Sequence, residues 1–467
     1  MDFWNRPLSE VTICTSNTQS LLGLTDEQGC AQIEVPEGSE IILTLFNRQS
    51  RIVRVNTSRI EVRLSDKDRL FDIGYDERIR KSESTASLSQ AVSEDIQASG
   101  NTTVMNNLYG LIPGLGVYQG SNLPWDNSPS LYVRGQGSFG GNQVLVLVDG
   151  IERDMAQISP KEVESITVLK DAASLALYGN RGADGVVVIT TKRGGDHGLR
   201  SQIDYNFGVQ TPFRIPHMAD GYTYASAVNE ALSNDGLSPR YTMHDMRLIA
   251  GHMHPQLFPD IDWQALILRK VAFTHDVNLT FDGKGQRIRY FVYANYNSNR
   301  GFLNNTEMND GYSTQIGMDA LKVRSNIEAR LTKSTVARIN LMGRLMQYQH
   351  PSAGTNLSGM YDTPAAAFYP LAPQSEGGGW VRSRLCKNPL ADLTSRGYNT
   401  VLQRTLFADL TIDQNLEMIT PGLSAQVRVA YDNSAEITDM RTCDFAYMEV
   451  SSANDEIGNV KELLYTP

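Results

Sequence analysis

Three glycines near the first third of the chain, Gly135, Gly137 and Gly140, satisfy the GxGxxG spacing of dinucleotide-binding sites. Such a site needs the motif after a strand and at the start of a helix, because the pyrophosphate binds at the helix N-terminus. Here the glycines precede a predicted strand at residues 144–148. The spacing therefore predicts a glycine turn and no nucleotide cofactor.

Three carboxylates, Asp149, Glu152 and Asp154, lie within six residues of one another. Paired carboxylates can perform acid–base chemistry or bind Ca²⁺. Their spacing is not that of an EF-hand loop, and a turn that carries solvated charges is the simpler interpretation.

A histidine group, His244, His252 and His254, has residue types that bind Zn²⁺, but no fourth ligand follows a known spacing. Ser138 and Ser174 lack the strand–turn–helix context of a nucleophile elbow. The sequence therefore predicts no catalytic residues, no metal site, no cofactor and no enzyme.

The length and composition exclude several classes of protein and so limit the folds in which these residues can lie. The chain has 467 residues and a formal net charge of -10, which argues against a nucleic-acid partner because such proteins present a basic face. Four scattered cysteines form no disulfide framework or CxxC motif: Cys14, Cys30, Cys386 and Cys443. The longest apolar runs are far shorter than the roughly 20 residues of a membrane-spanning helix, whereas the half-apolar strands of a membrane barrel remain compatible with the composition.

Three regions of different character precede residue 196. Residues 1–66 contain short β-branched runs at 31–35, 41–46, 52–55 and 60–64, which predict a β-sandwich-like domain. Residues 67–100 are charged and then rich in Ser, Thr and Ala, which indicates a linker. Residues 101–195 alternate short strands with short helices, including a helix capped by Asp171, and predict a small α+β domain.

Residues 196–467 show repeated strand-length alternation between apolar and strongly polar residues. Ile203, Tyr205 and Phe207 begin the pattern, and it recurs at 273–281, 288–296, 323–331, 337–345, 406–412 and 423–431. This alternation predicts an incomplete antiparallel transmembrane β-barrel. A soluble antiparallel sheet with one solvated face has the same period. Long Gly- and Pro-containing loops at 211–269 and 350–400 favour the barrel, since such barrels carry long loops on one side.

The segment from residue 104 to residue 195 resembles the plug domain of the SusC/RagA family of TonB-dependent outer-membrane transporters. It contains VMNNLYGLIPGLGVYQG, SLYVRGQGSFGGNQVLVLVDGI and ISPKEVESITVLKDAASLALYGNRGADGVVVITTKRG in that order. The residues that carry the plug signature are Arg134, Gly135, Asp149, Gly150, Val163, Ser165, Leu169, Lys170, Asp171, Ala172, Tyr178, Gly179, Arg181, Gly182 and Gly185. Residues 1–66 are similar to the carboxypeptidase-regulatory-like β-domain that precedes the plug in this family.

The resemblance implies nutrient transport through the cell outer membrane, the nutrient being a glycan or a peptide. It implies TonB with ExbB and ExbD as the energy source, and a SusD-like surface lipoprotein as a partner. The position at which the family carries a TonB box corresponds here to Phe71, Asp72, Ile73, Gly74 and Tyr75. A TonB box pairs with TonB by strand addition. An ordinary domain linker is the competing interpretation of these residues.

The number of alternating strands is small for a plugged transporter, which needs about 22 strands, whereas residues 196–467 offer about eight. The first ten residues lack the basic and apolar regions of a signal peptide. We therefore expect an N-terminal portion of a transporter, truncated at both ends, in which the β-domain lacks its first strand. A stand-alone soluble glycan-binding β-module is the alternative.

Overall fold

The computed structural model describes the chain except for residues 1–6, 17–19, 46–50, 63, 65–69, 76, 81–82, 122, 127–128, 138–142, 196, 214, 310, 356, 455–459 and 467. Ser138 and Gly140, two residues considered above, lie outside the described residues, as do Phe46, the last residue of a predicted strand, and Asp66, the last residue of the predicted β-domain. The chain divides into two compact units. One comprises Met1–Gly120 and Ser128–Thr191, and the other comprises Ser121–Asn127 and Lys192–Pro467.

The first unit begins with a four-stranded antiparallel sheet in the order β2-β1-β3-β4. Its strands are β1 (Thr12–Thr15), β2 (Leu21–Leu24), β3 (Glu40–Thr44) and β4 (Arg51–Arg54). The predicted strands at 31–35 and 60–64 are wrong, because the described residues of these segments (all but residue 63) carry no strand pairing. Their alternating apolar residues instead pack on the sheet: Leu64 is buried, and Ile33 and Val62 lie against the same core. The alternation of apolar and polar residues in these segments therefore corresponds to extended chain that packs on the sheet without pairing with a strand.

The second part of this unit is the predicted α+β domain. Its five-stranded mixed sheet has the order β11-β10-β13-β12-β7, and β10 and β13 run parallel. The remaining strands form two hairpins, β5 with β6 and β8 with β9. The elements are β5 (Leu70–Gly74), β6 (Glu77–Arg80), β7 (Leu88–Val92), α1 (Ser93–Gln97), β8 (Leu115–Tyr118), β9 (Ser130–Val133), β10 (Leu145–Val148), β11 (Ile151–Glu152), β12 (Val163–Leu169), α2 (Ala172–Leu175) and β13 (Val186–Thr191).

The central strand β13 explains why this sheet is stable. All six of its residues are buried, as the uninterrupted apolar run VVVITT predicts for a strand covered on both faces. Val187 and Ile189 pack into one core with Ile166 of β12. Val186 and Val188 pack into a second core on the opposite face.

The second unit is dominated by a seven-stranded antiparallel sheet that pairs its strands in the order β14-β15-β16-β17-β18-β20-β21. These strands are β14 (Arg200–Gln210), β15 (Ala272–Lys284), β16 (Ile288–Arg300), β17 (Gly317–Arg330), β18 (Thr335–Pro351), β20 (Gly397–Asn415) and β21 (Ser424–Thr442). The sheet is open, as predicted for a partial barrel wall. Its connections are short at one end (285–287, 331–334 and 416–423) and long at the other (211–271, 301–316 and 352–396).

The long connections contain structure that the alternation pattern did not predict. They hold α3 (Gly221–Asn234), α4 (Met243–Ala250), α5 (Trp263–Ile267), α6 (Gly359–Asp362), β19 (Trp380–Arg382) and α7 (Pro389–Ser395). After β21, β22 (Tyr447–Asn454) and β23 (Val460–Thr466) join β19 in a three-stranded sheet. Trp263, Phe368 and Leu390 form a shared core between these loop elements.

The two faces of the seven-stranded sheet have the opposite polarity from those of a soluble sheet: its apolar face is exposed and its polar face is buried. One face carries apolar side chains that are exposed, such as Ile203 (73%), Val427 (63%) and Val429 (63%). The other face carries buried polar side chains, including Asn278 and Asp276, which are joined by a hydrogen bond of 2.6 Å from the amide nitrogen to the carboxylate. A soluble antiparallel sheet buries its apolar face and solvates its polar one.

Among the described residues, no helix combines the length and the apolar character that crossing a membrane would require.

Candidate functional site

The Asp149–Gly150 turn joins β10 to β11 at the edge of the five-stranded sheet. Both residues have positive φ angles, 51° and 83°, which is the requirement of a type I′ hairpin turn. The Asp149 carboxylate accepts hydrogen bonds from the Thr191 backbone nitrogen (3.0 Å) and from the Thr191 hydroxyl (2.7 Å). The carboxylates were predicted to lie in a turn, and Asp149 does so; its carboxylate fastens the turn to the end of β13.

The other two carboxylates of the predicted cluster have separate partners. Glu152 forms an ion pair with Arg181, and Asp154 accepts a hydrogen bond of 2.8 Å from the Ala156 backbone nitrogen. Within the described part of the chain, no group of three or more His, Cys, Asp or Glu side chains is arranged to hold a metal ion. Asp154 therefore stabilises a local turn, whereas Asp149 and Glu152 contact residues distant in sequence.

The histidines are likewise dispersed in the structure. His244 lies in α4, and His252 pairs with Asp260 at 3.3 Å in the loop that follows. His252 and His254 have φ angles near 50°. Ser174 donates its hydroxyl hydrogen to Asp171 (2.7 Å), which is a capping contact. None of these residues forms a catalytic arrangement.

Lys170 and Asp171 connect the end of β12 to its surroundings. The Lys170 ammonium donates hydrogen bonds to the Ser89 hydroxyl (2.6 Å) and to the Pro113 carbonyl (2.9 Å). Burial lowers the pKa of Lys170, and the Arg134 guanidinium lowers it further. Lys170 thus fixes strand β7 against the loop that precedes β8.

Asp171 caps helix α2, as the sequence predicted. Its carboxylate accepts hydrogen bonds from the backbone nitrogens of Ser174 (3.1 Å) and Ser87, and Ala172 is the first helical residue. Burial alone would raise the pKa of Asp171, but the hydrogen bonds from Ser174 and Ser87 outweigh it and lower that pKa. The cap therefore joins α2 to the segment before β7.

Two glycines of the plug signature, Gly182 and Gly185, lie where a side chain would not fit. A Cβ on Gly182 would lie 2.9 Å from the Tyr178 Cβ, and one on Gly185 would lie 2.6 Å from the Val133 Cβ. Gly179 and Gly185 also have positive φ angles, 55° and 98°. Their positions account for the glycine spacing in the sequence.

The remaining signature residues belong to β9 and β12. Arg134 and Gly135 follow β9 with φ angles of 59° and 92°, and the Arg134 backbone nitrogen donates to the Gly114 carbonyl at 2.8 Å. In β12, Val163 and Leu169 are fully buried, and Ser165 pairs with both Val92 and Thr190. These residues support the sheet and form no ligand-binding arrangement.

The candidate TonB box adopts a defined structure on this sheet. Residues 71–74 lie in β5, and β5 pairs with β6 as a hairpin inside the segment predicted to be a linker. Phe71 and Ile73 are only 4% and 7% exposed, and Ile73 packs against Leu147 and Val188 of the sheet. The hairpin is therefore docked on the sheet through its apolar residues.

Polar and aromatic contacts also hold the hairpin. The Tyr178 hydroxyl donates a hydrogen bond to the Ile73 carbonyl, and the Thr190 hydroxyl donates to the Asp72 carboxylate at 2.9 Å. The Tyr75 ring stacks on Tyr178 with a centroid distance of 5.5 Å. Burial raises the pKa of Tyr178, so its hydroxyl stays protonated and able to donate. Sequence reasoning missed Thr190 because 118 residues separate it from Asp72, and no local pattern relates the two.

The Gly74 backbone explains how the ring of Tyr178 approaches the hairpin. Gly74 has a φ angle of 89°, and a Cβ at this position would lie 2.0 Å from the Tyr178 hydroxyl oxygen. Among the described strands, β5 pairs with β6 alone, so its second edge has no ladder partner. An unpaired strand edge is the surface that strand addition requires.

Comparison with known proteins defines the class of this architecture. Residues 80–186 match the family model described as TonB-dependent Receptor Plug Domain. TonB-dependent receptor P26 of Formosa agariphila is 29% identical over 66% of this chain and 30% of its own length. TonB-dependent receptor SusC of Bacteroides thetaiotaomicron is 25% identical over 60% of this chain and 28% of its own length. The chain therefore carries the plug of a TonB-dependent receptor.

The fold also matches a solved structure. The RagAB peptide importer in its open-open state aligns with a TM-score of 0.62 and 20% identity, over 79% of this chain and 43% of that one. The plug-domain match and the receptor relatives support the predicted resemblance to TonB-dependent receptors of the SusC/RagA type, and the solved structure shows that the fold is shared. The chain spans about a third of the length of the curated relatives it matches.

Proposed function

We propose that this chain acts in TonB-dependent import of a nutrient, a glycan or a peptide, across the outer membrane, and that residues 71–75 are the segment bound by TonB. The observation that carries this proposal is the β5–β6 hairpin, which presents an unpaired strand edge while it docks on a plug sheet. TonB with ExbB and ExbD would supply the energy. A SusD-like lipoprotein would assist substrate capture at the surface.

The inverted sheet supports the membrane location. Its apolar face spans the strand rows from Leu345 to Ala337 of β18, where Ala337 itself is buried but Ile412 and Val427 in the same row are exposed; this span is about 27 Å at about 3.4 Å per residue. At a strand tilt of about 40°, this run corresponds to about 21 Å along the membrane normal, close to the roughly 25 Å apolar band of outer-membrane barrels. A stand-alone soluble module would expose this whole face to water at a large hydrophobic cost.

The docking contacts support a switchable role for the hairpin. TonB can add a strand to residues 71–75 without breaking the five-stranded sheet, because the hairpin is a separate two-stranded element. Releasing it would break the hydrogen bonds with Tyr178 and Thr190 and expose Phe71 and Ile73, so TonB binding would have to supply that energy. This arrangement suits a segment that alternates between docked and TonB-bound states.

The test uses the periplasmic C-terminal domain of TonB as the probe, and measures its capture by the full chain in detergent. Ile73→Pro removes a backbone donor in the segment, so we expect capture to weaken about tenfold or more. Arg78→Pro in β6 is the matched control. It breaks the hairpin but leaves residues 71–75 intact, so capture is retained or strengthened. Equal capture by the wild type and by Ile73→Pro would place the TonB-binding segment elsewhere.

A further inference from the structure

Arg404 is the charged member of a row of outward-facing residues on the seven-stranded sheet. Strand register aligns it with Leu345, Leu321 and Tyr296 on one side and with Ala435 on the other. Its neighbours along β20 on the same face, Leu402 and Leu406, are apolar too. The guanidinium is therefore set among apolar side chains on the face that we assign to the lipid.

A groove lies directly beside this arginine. Gly343 occupies the next row toward the short-turn end of the sheet, and a Cβ placed on it would meet no atom within 4 Å. The cavity here measures about 300 Å³; Leu321, Val323, Leu345 and Leu406 supply its apolar lining, and Arg344, Arg404, Thr405 and Asn433 also line it. It combines an apolar floor with a cation at one end.

Arg404 is exposed, and within the described residues it has neither an ion pair nor a side-chain hydrogen bond. The nearest outward-facing carboxylate in the adjoining row, Asp319, is already paired with Arg300 at 3.0 Å and accepts from the Tyr296 hydroxyl at 3.1 Å. A cation on a lipid-facing surface without a counter-ion is costly unless it reaches the headgroup level or binds an anion. Arg404 thus lacks a protein anion.

The level of Arg404 follows from the connections of the sheet. Long connections mark the extracellular end of such a barrel wall and short turns mark the periplasmic end. Arg404 lies toward the long-connection end, and the next row in that direction turns polar with Asp319 and Gln347. Its flexible side chain can therefore extend to the boundary between acyl chains and headgroups.

We propose that Arg404 and the groove over Gly343 form a binding site for an outer-leaflet lipid, in which the guanidinium pairs with the lipid phosphate and an acyl chain lies in the groove. This inference rests on the membrane location given under the proposed function. A guanidinium binds a phosphate through two parallel hydrogen bonds, which a neutral lipid cannot accept in the same way. A cation above an apolar groove complements an anion that carries hydrocarbon chains.

The experiment is native mass spectrometry of the full chain, extracted from membranes in detergent and titrated with dioleoylphosphatidylglycerol. Dioleoylglycerol has the same acyl chains without the phosphate, and we expect its affinity to be at least about fivefold lower. Arg404→Gln should weaken phosphatidylglycerol binding by a similar factor and leave dioleoylglycerol binding unchanged. Arg287→Gln, which removes a cation from the opposite end of the sheet, is the matched control and should bind as the wild type does.

The groove is tested separately with Gly343→Leu, which fills it without altering charge. We expect this variant to lose phosphatidylglycerol binding while Arg404 is retained. Inorganic phosphate should not compete at millimolar concentration, and competition would mean a free-anion site, contrary to the lipid proposal. Unchanged lipid binding by both Arg404→Gln and Gly343→Leu would overturn the site.

Failure of this inference is distinguishable from failure of the proposed function. If the wild-type chain fractionates with membranes and captures TonB but shows no preference for the phosphate-bearing lipid, only the lipid site is wrong. If it does not enter membranes at all, the membrane location is wrong and the lipid site falls with it. Should Arg404→Gln fail to fold, Arg404→Lys keeps the charge but loses the paired hydrogen bonds, and an undiminished affinity would contradict the proposed geometry.

Discussion

Tyr178→Phe should release the β5–β6 hairpin while leaving the plug sheet intact. The substitution removes the hydroxyl that donates to the buried Ile73 carbonyl, and it keeps the ring that stacks on Tyr75. A buried acceptor left without a donor costs about 1–3 kcal/mol. The population of the undocked hairpin should therefore rise by about five- to 150-fold.

Amide hydrogen exchange measures this population directly. Backbone amides of β5 should exchange faster in Tyr178→Phe by the same factor, because local opening governs their exchange. The amides of β10 and β13 should keep their wild-type rates. Tyr118→Phe is the matched control, since Tyr118 is 65% exposed and its hydroxyl lies far outside the hairpin contacts. Unchanged exchange in β5, or equal acceleration throughout the sheet, would refute the role assigned to this hydrogen bond.

Three further outcomes test the plug and the sheet. Gly185→Ala should lower the free energy of unfolding by about 1–3 kcal/mol, because alanine is strained at a φ angle of 98° and crowds Val133, whereas Gly137→Ala in open space should be neutral in chemical denaturation. Because the pKa of Asp171 is lowered in the folded state, its ionised carboxylate stabilises the fold at pH values above the ordinary carboxyl pKa near 3.8. This stabilisation is lost as the pH falls below that value and through the lowered pKa. Asp171→Asn should therefore flatten this part of an acid-unfolding curve monitored by circular dichroism, and a curve identical to that of the wild type would contradict the cap. Leu341→Arg on the exposed apolar face should destabilise the chain in lipid vesicles by about 2–4 kcal/mol, while Ala425→Arg near the short-turn end should cost about 0–1 kcal/mol; equal costs would argue against a lipid-facing band.

The strands of the second unit were predictable because their signal is local. In β15 apolar and polar residues alternate from Phe273 to Asp282, and the structure pairs this strand with β16 over eleven positions. The Asp149–Gly150 turn and the Asp171 cap were predictable for the same reason, since each depends on residues within a few positions. At these sites the neighbouring residues alone were enough to predict the local structure.

The elements that escaped prediction depend on distant partners or on weak local signals. Residues 70–80 resembled a linker because the exposed side of the hairpin is charged, and only contact with Tyr178 and Thr190 reveals its docking. Helix α4 carries a capping box between Thr242 and Asp245 that could have marked its start. Residues 31–35 alternate like a strand but pack without a ladder, because burial of one face does not by itself supply a pairing partner.

The exposed apolar face of the seven-stranded sheet also has a consequence for the chain before it folds. Along any single strand, apolar residues such as Ile203 and Tyr205 are separated by polar ones, and the mean hydropathy of the chain is only -0.31. The apolar runs of this sequence are consequently much shorter than the roughly 20 residues of a membrane-spanning helix. The continuous apolar surface comes into existence only when neighbouring strands pair, so strand pairing in water would create a surface prone to aggregation. On the membrane location that we propose, strand pairing and lipid contact would therefore occur together.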